Sequence, residues 1–395
     1  MTTYPAILTL RRASAPSDHV IEFLKLESVP QDHFSAVFDA GARPYPQAKL
    51  GAGSWELESP ALRALREKIV AGKRTLKEVY GSPQRGIVTG LNEAFVVDRE
   101  TRDRLVLKDP KSAELLKPFL EGKDLKRWRA EPRDLWIIYI PKNSIDIDAY
   151  PAIKAHLLPF KDQLEDRATK QEWFELQQAQ AAYVPAFERP KIVYGEFSGS
   201  NIFSIDTAIH YLNNKCYFIP AADHALLALL NSFVFRFFIE GQSVAVRGNF
   251  PQLHSQYVEL FPIPIDIKQA TDDLALRAKT CQTATAGRLS QQHAFRRRIP
   301  DLCPPDREAK LNTRLHDWWE LVDFDAFRAA VKAHFKAEIP LAERTQWEEW
   351  FKAGQSEVAR LTAEIEGNEA EINAIVYRLF DLTPLEIKLL EESLQ

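Results

Sequence analysis

Three polar stretches of this chain carry side chains whose types and spacing could do chemistry. In Gly122-Lys123-Asp124-Leu125-Lys126-Arg127-Trp128-Arg129 four cations and an indole fall within eight residues. Cations so clustered can neutralise phosphates, and the ring could stack on a ligand or pack beneath a helix; a solvated basic turn has the same composition. In Arg247-Gly248-Asn249-Phe250-Pro251-Gln252-Leu253-His254 a small hinge residue stands among Arg247, Asn249, Gln252 and His254, which can read base edges or phosphates from a loop. The alternative there is a plain helix-to-strand connector. In residues 85–98, Gly90 can take positive φ and would present Asn92 at a strand end, beside Arg85 and Thr89. The Asn92 amide donates and accepts together, which suits bidentate contact to adenine or to a phosphate, although Thr89 and Asn92 could equally do no more than satisfy a turn. Phe295-Arg296-Arg297-Arg298-Ile299-Pro300 is the sharpest basic cluster, and its place favours capping a helix C-terminus, where the dipole attracts cations.

These segments must be held by regular elements. Ile87-Val88, residues 95–97, 105–107 and 136–140 have the period and composition of strands, with a short helix near 111–120. Residues 191–194, 202–205 and 216–219 form a second β block. Helices are expected over 55–79, ended by Gly81-Ser82-Pro83, over the charged, Gln-rich 150–182, and over the strongly apolar 221–239. After about residue 266 the pattern is helical apart from a break near 300–305. There Val358, Leu361, Ile365, Ile372, Ile375, Val376, Leu379 and Phe380 form one apolar stripe, which is core. Residues 4–10 read as a short buried strand with no partner nearby.

Composition narrows the classes. The 395 residues include 45% hydrophobic and 27% charged residues, an ordinary globular balance with room for two or three cores. No run of eighteen apolar residues is present, which excludes a membrane-spanning helix, and the first residues lack the layout of a secretory signal. Three widely spaced cysteines support neither a disulfide framework nor a zinc site, so a bacterial-type cytoplasm is expected. A net charge of −4 argues against indiscriminate coating of nucleic acid. The charge is uneven, roughly +7 over residues 61–142 and about −8 over 305–395. A basic middle beside an acidic helical tail suits one nucleic-acid-facing module carried on a scaffold.

Taken together, several of these segments resemble a known family. Gly86-Ile87-Val88-Thr89-Gly90-Leu91-Asn92-Glu93-Ala94-Phe95-Val96-Val97-Asp98, Lys117-Pro118-Phe119-Leu120-Glu121-Gly122-Lys123-Asp124-Leu125, residues 189–194 and Phe261-Pro262-Ile263-Pro264 are similar, in order and spacing, to the TaqI-like specificity domain of adenine-specific DNA methyltransferases and type IIG restriction–modification enzymes. The tail Asn373-Ala374-Ile375-Val376-Tyr377-Arg378-Leu379-Phe380-Asp381-Leu382-Thr383 resembles the closing helix and turn of large type IIG and phage-exclusion methylases, and residues 4–11 resemble the last strand of their methyltransferase domain. The resemblance implies an α+β fold: a mixed β-sheet target-recognition module flanked by helices, then a C-terminal helical region. The expected units are 1–80 (strand remnant, linker and helix), 81–266 (recognition) and 267–395 (helical).

It also implies recognition of double-stranded DNA by Arg85, Thr89, Asn92, Lys123, Lys126, Arg127, Arg129, Arg247, Asn249, Gln252 and His254. Amino-methylation of a flipped base needs an Asn/Asp-Pro-Pro-aromatic motif, and the sole Pro-Pro pair, in Cys303-Pro304-Pro305-Asp306, lacks both flanking groups. No Gly-rich turn for a methyl donor follows a strand, and no metal-spaced cluster is seen among the nine histidines. The expectation is therefore no cofactor and no catalytic residue in this chain, with S-adenosylmethionine bound only by a separately encoded methyltransferase subunit. Two alternatives stay open: an essential half of a split adenine methyltransferase, and a non-catalytic phage-defence scaffold.

Overall fold

In the computed structural model of this chain, the described residues are 9, 11, 13–24, 26, 33–50, 59–196, 202–242, 245–246, 250–264 and 267–394. The expected strand at 4–10 and its resemblance to a methyltransferase strand lie outside them, apart from Thr9. Strand β1 (Val20–Phe23) pairs antiparallel with β2 (Arg43–Pro46), on either side of α1 (Phe34–Gly41). Helix α2 (Pro60–Val70) starts with Ser59 accepting from the Leu62 amide, has proline at its first position, and buries Leu65 and Ile69 four residues apart. The single helix expected over 55–79 is in fact two. Gly72, at φ +69°, turns the chain, β3 (Arg74–Thr75) follows, and a capping box between Thr75 and Glu78 starts α3 (Leu76–Tyr80) anew.

The next stretch runs β4 (Gln84–Arg85), α4 (Asn92–Phe95), β5 (Val96–Asp98), α5 (Arg99–Lys108), β6 (Leu116–Leu120), β7 (Leu135–Ile138), α6 (Pro151–Leu157), α7 (Lys161–Glu165) and α8 (Val184–Phe187). Residues 105–107, expected as a strand, lie in α5. Asp98 accepts from the Thr101 amide at 2.8 Å and launches the helix, which buries Leu105 and leaves Leu107 85% exposed. Residues 111–120, expected as a short helix, hold a 3-10 turn and then β6. The Gln-rich segment expected to be helical through 182 leaves the helix after Glu165.

Strands β8 (Lys191–Gly195), β9 (Phe203–Asp206), β10 (Tyr211–Leu212) and β11 (Cys216–Ile219) follow, three of them where the sequence places its second β block. They complete two four-stranded sheets. One has the order β10-β6-β7-β5 and is mixed, with β10 parallel to β6; the other, β4-β11-β8-β9, is antiparallel throughout. The fold class is α+β.

Both faces of the antiparallel sheet are covered, and side-chain alternation divides its residues between two cores. Val193, Cys216 and Phe218 join the core built on the mixed sheet. Ile192, Tyr194, Phe203, Ile205, Tyr217 and Ile219 join a second core, made with the helices downstream. The first of those are α9 (His224–Leu230) and α10 (Phe233–Gln242), expected as one helix and bent by 58° at the break. Leu226, Leu227, Leu229 and Leu230 are fully buried, so α9 is apolar all round because it is enclosed. No single described helix is long and apolar enough to cross a membrane.

A hairpin of β12 (Ala245–Val246) and β13 (Phe250–Pro251), then α11 (Ser255–Val258), lead to β14 (Pro262–Ile263), which pairs antiparallel with β3. The rest is helical as expected: α12 (Ile267–Arg296), α13 (Thr313–His316), α14 (Phe324–Phe335), α15 (Arg344–Leu379) and α16 (Pro384–Ser393). Helix α12 is about 45 Å long at 1.5 Å per residue, and α15 packs antiparallel to it. Cys281 meets Ile365, and Gly287 meets Leu361 where a Cβ would stand 3.3 Å from its methyl. The predicted stripe of α15 is core: Val358, Leu361, Ile365, Ile372, Ile375 and Val376 are buried. A third core gathers around Phe295, whose ring lies 4.2 Å from Trp318 and 4.8 Å from Trp350.

Two buried features test this architecture. Lys191 and Asp206, paired across β8 and β9, form an ion pair at 2.8 Å, and the Lys191 ammonium also donates to Phe187 O at 2.9 Å. Burial alone would raise the Asp206 carboxyl. Hydrogen bonds from His210 and the Lys191 charge outweigh it and hold the group down at about 2. Asp206→Asn strands a buried ammonium and is expected to cost about 3–5 kcal/mol in urea unfolding at pH 7. A depressed carboxylate stabilises above its unfolded value near 4 and loses that contribution as pH falls toward 2, so the mutant and the parent should converge over that window. At Gly86 an added Cβ would overlap the Asn213 carbonyl. Gly86→Ala should therefore destabilise by about 1–3 kcal/mol, read by the same method.

Candidate nucleic-acid interface

Residues 85–98 were expected to be two strands joined through Gly90. The structure gives single bridges instead: Ile87 to Asn213 and Val88 to Gln178, followed by the one-turn α4 and then β5. Gly90 does take positive φ, at +84°, and a Cβ there would crowd Arg167 and Gln177. Thr89 is buried and its hydroxyl donates to Asn92 Oδ1 at 2.6 Å. This bond joins the two side chains, and Asn92 itself is exposed. Thr89 O accepts from Arg167 Nη1 (3.1 Å) and from the Gln177 amide (3.3 Å), so Thr89 and Asn92 belong with the loop 167–178. That loop is not helical because Arg167 gathers it: the guanidinium also donates to Leu164 O, Glu175 O, Glu172 O and Trp173 O. Nothing in the sequence marked Arg167, since a cation serving backbone carbonyls leaves no pattern.

The basic stretch 122–129 is a folded buckle between β6 and β7. Its expected outward placement holds for part of it only. Asp124, 1% exposed, accepts from the Glu121 amide at 2.7 Å and from Arg133, and Glu131 N donates to Asp124 O at 2.7 Å. Trp128 stands at φ +70° and is 1% exposed, so its ring is packed under a helix and offers no stacking face. Its amide donates to Phe203 O at 3.0 Å. Arg127 points inward, donating to Glu369 on α15 at 2.5 Å and to Asn231 O at 2.8 Å. Lys123, Lys126 and Arg129 point out. Lys123 lies 3.6 Å from Glu121, whereas Lys126 and Arg129 form no hydrogen bond or ion pair with any described residue.

The buckle stands at the end of the antiparallel sheet where other predicted residues also arrive. Arg85 on β4 is opposite Tyr217, which is opposite Tyr194, which is opposite Phe203. The three rings form a ladder with centroids 5.6 and 4.9 Å apart. The Arg85 guanidinium donates to Asn214 O at 2.9 Å. Burial raises the Tyr217 hydroxyl above its ordinary value, and the nearby Arg85 charge pulls it back. That hydroxyl meets His254 Nδ1 at 3.0 Å, so Arg85 and His254 are brought together across a tyrosine. Glu196, ending β8, ties the group: its carboxylate is 3.2 Å from Lys215 Nζ and 3.8 Å from His254 Nε2, and its carbonyl accepts from Leu253 N, next to the half-buried Gln252.

Arg85, the basic buckle, Lys215 and the His254 ring thus share one sheet end. Lys215 was missed because a lone lysine in a β-turn carries no signal. Arg247 and Asn249 lie outside the described residues. The run at 295–300 does end a helix: α12 stops at Arg296, whose Nε donates to His316 O at 2.9 Å. Among the described residues, no group of three His, Cys, Asp or Glu side chains could hold a metal ion.

Comparison with known proteins accords with this layout. Residues 117–263 match the TaqI-like C-terminal specificity domain, and 267–376 match a domain of unknown function, DUF8810. The match starts after residues 85–98, so the first motif of the resemblance falls outside it. Over 237 residues the chain is 26% identical to the type II methyltransferase M.PaeR7I of Pseudomonas aeruginosa, covering 57% of this chain and 40% of that one. It is 23% identical over 202 residues to M.BstVI of Geobacillus stearothermophilus (48% and 34%) and 23% over 224 residues to M.XhoI of Xanthomonas vasicola (54% and 39%). The chain therefore spans about two fifths or less of the length of these relatives. Among solved structures, the type IIL restriction–modification enzyme MmeI in complex with DNA aligns over 74% of this chain and 37% of its own, at 15% identity and a TM-score of 0.38, too low to carry an inference. Residues 117–263 are thus similar to the TaqI-like C-terminal specificity domain, in a chain that is similar over about half its length to type II methyltransferases.

Proposed function

We propose that this chain recognises double-stranded DNA as the specificity part of an adenine-N6 methyltransferase or type IIG restriction–modification system of phage defence, with methyl transfer and S-adenosylmethionine belonging to residues outside it. The supporting observation is the sheet end itself. Arg85 on the β4 edge, Lys215 in the turn before β11 and the basic buckle seated on the β9 edge, far apart in sequence, come to the same end of one sheet, where His254 also meets Tyr217. A duplex presents one phosphate charge per roughly 1.7 Å of axis, and the exposed cations at this end carry the complementary charge. Arg85 and His254 add a forked donor and an imidazole at that end, groups able to address base edges as well as phosphates. The type II methyltransferase relatives support the association with methylation, and the motifs at 117–125 and 189–194 support the adenine-specific, type IIG form of it.

The test is direct binding. Affinity for duplex DNA should fall steeply with salt, and one sequence should be preferred, each wrong base pair costing about 1–3 kcal/mol. Replacing Lys126 and Arg129 by Ala should reduce the slope of log affinity against log salt by about 2, roughly 0.9 per lost phosphate contact. Unchanged binding in that variant, with no preferred site in a random-duplex selection, would sink the reading.

A further inference from the structure

Lys126 and Arg129, exposed and unpaired among the described residues, flank two residues held by a helix more than two hundred positions away. Glu369 Oε1 on α15 accepts from both Arg127 Nε and Trp128 Nε1, each at 2.5 Å. One turn further along the same face, Asn373 Oδ1 accepts from the Phe233 amide at 2.8 Å, at the break between α9 and α10. At that break the Asn231 side chain bonds Phe203 in both directions, donating to its carbonyl at 3.0 Å and accepting from its amide at 3.3 Å. Phe203 O also receives the Trp128 amide. Buckle, sheet edge, helix break and α15 therefore form one hydrogen-bonded junction, in which Glu369 is the carboxylate that α15 brings to the buckle.

We infer that Glu369 is a positioning residue for DNA binding, and hence that the helical domain of unknown function orients the basic loop of the specificity domain. This rests on the proposed function, and it gives the helical domain a role within it. The physical argument is local. A tryptophan at φ +70° sits in a region that bulky residues rarely adopt and that costs about 1–3 kcal/mol, so the surroundings must hold it there. Trp128 is 1% exposed, and without Glu369 its indole N–H would be buried with its acceptor gone. The inexpensive response is for the loop to relax, and Lys126 and Arg129 lie immediately on either side of the two anchored residues. Glu369 touches no ligand in this account; it acts through the loop.

The experiment uses the full chain and a labelled random-sequence duplex of about thirty base pairs, titrated between about 50 and 200 mM salt. The Lys126→Ala, Arg129→Ala variant should narrow the affinity loss over that range roughly tenfold, as expected for two phosphate contacts. Glu369→Ala should narrow it by a similar factor, and combining all three substitutions should add nothing, because the carboxylate acts only by presenting those cations. Glu369→Gln keeps an oxygen acceptor for both donors and should restore the parental slope. A purely structural role would lower thermal stability and leave the slope alone. If Glu369→Ala does not fold, Arg127→Met releases one of the two donors and should shift the slope in the same direction.

A parental slope in the folded Glu369→Ala or Arg127→Met variant, or additive losses in the combined one, overturns the inference while the proposed function stands. No effect of the Lys126 and Arg129 replacements would overturn both.

Discussion

The antiparallel sheet formed by β4, β11, β8 and β9 has no solvent face, and the rest of the molecule is arranged around that constraint. Every described residue of β8, β9 and β11 is buried, so successive side chains must be accepted by different cores. Apolar contacts on both sides of one strand layer make the two cores mechanically continuous, because interiors packed at crystal density transmit displacement. Polar groups trapped in such a layer are costly unless paired; Lys191 and Asp206 are paired, whereas the Tyr194 and Ser204 hydroxyls have no partner among the described residues. A sheet that cannot expose its faces can meet a ligand only at its ends and edges. It is there that the charged side chains collect.

That arrangement explains why the basic stretch is only half available. A loop leaving β6 for β7 passes the edge of β9, and the parallel bridge between Trp128 and Ser204 seats it there. Seating draws Arg127 and Trp128 toward α15 and leaves their neighbours outside. The acidic surplus of the tail is partly accounted for in the same way. Glu369 and Glu386 both hold cations from earlier in the chain, Arg127 and Lys68 respectively, the second at 2.7 Å with both side chains partly exposed. Both pairs are partly exposed and contribute modestly to stability, and the Glu369 pair also ties the buckle to α15.

Much of the fold was legible because long or doubly buried elements leave strong periodic traces. The runs at 191–194, 202–205 and 216–219 read as strands since burial on both faces makes them continuously apolar. The α15 stripe was equally plain at helical spacing. Short elements were not legible. Leu105-Val106-Leu107 alternates with a strand's composition, but the cap supplied by Asp98 settles a helix from seven residues upstream. The break in 221–239 depends on Asn231 and Ser232 side chains bonding to backbone groups, which a tally of apolar residues does not register. The Gln-rich 167–180 resembles a helix in composition and is overruled by one guanidinium.

Amino-acid order alone was enough to mark an α+β chain with a β-rich middle, a helical tail, a family likeness in its motifs and the segments where cations cluster. Those properties are local, and local patterns survive without a third dimension. Tertiary contact decided which cations find partners among the described residues, that Trp128 is an anchor, that Arg85 and His254 meet through Tyr217, and that the Thr89 carbonyl is claimed by Arg167. Each of those outcomes depends on a partner tens to hundreds of residues away. No spacing rule within a segment can encode which distant carboxylate or carbonyl will claim a given donor once the chain has closed on itself.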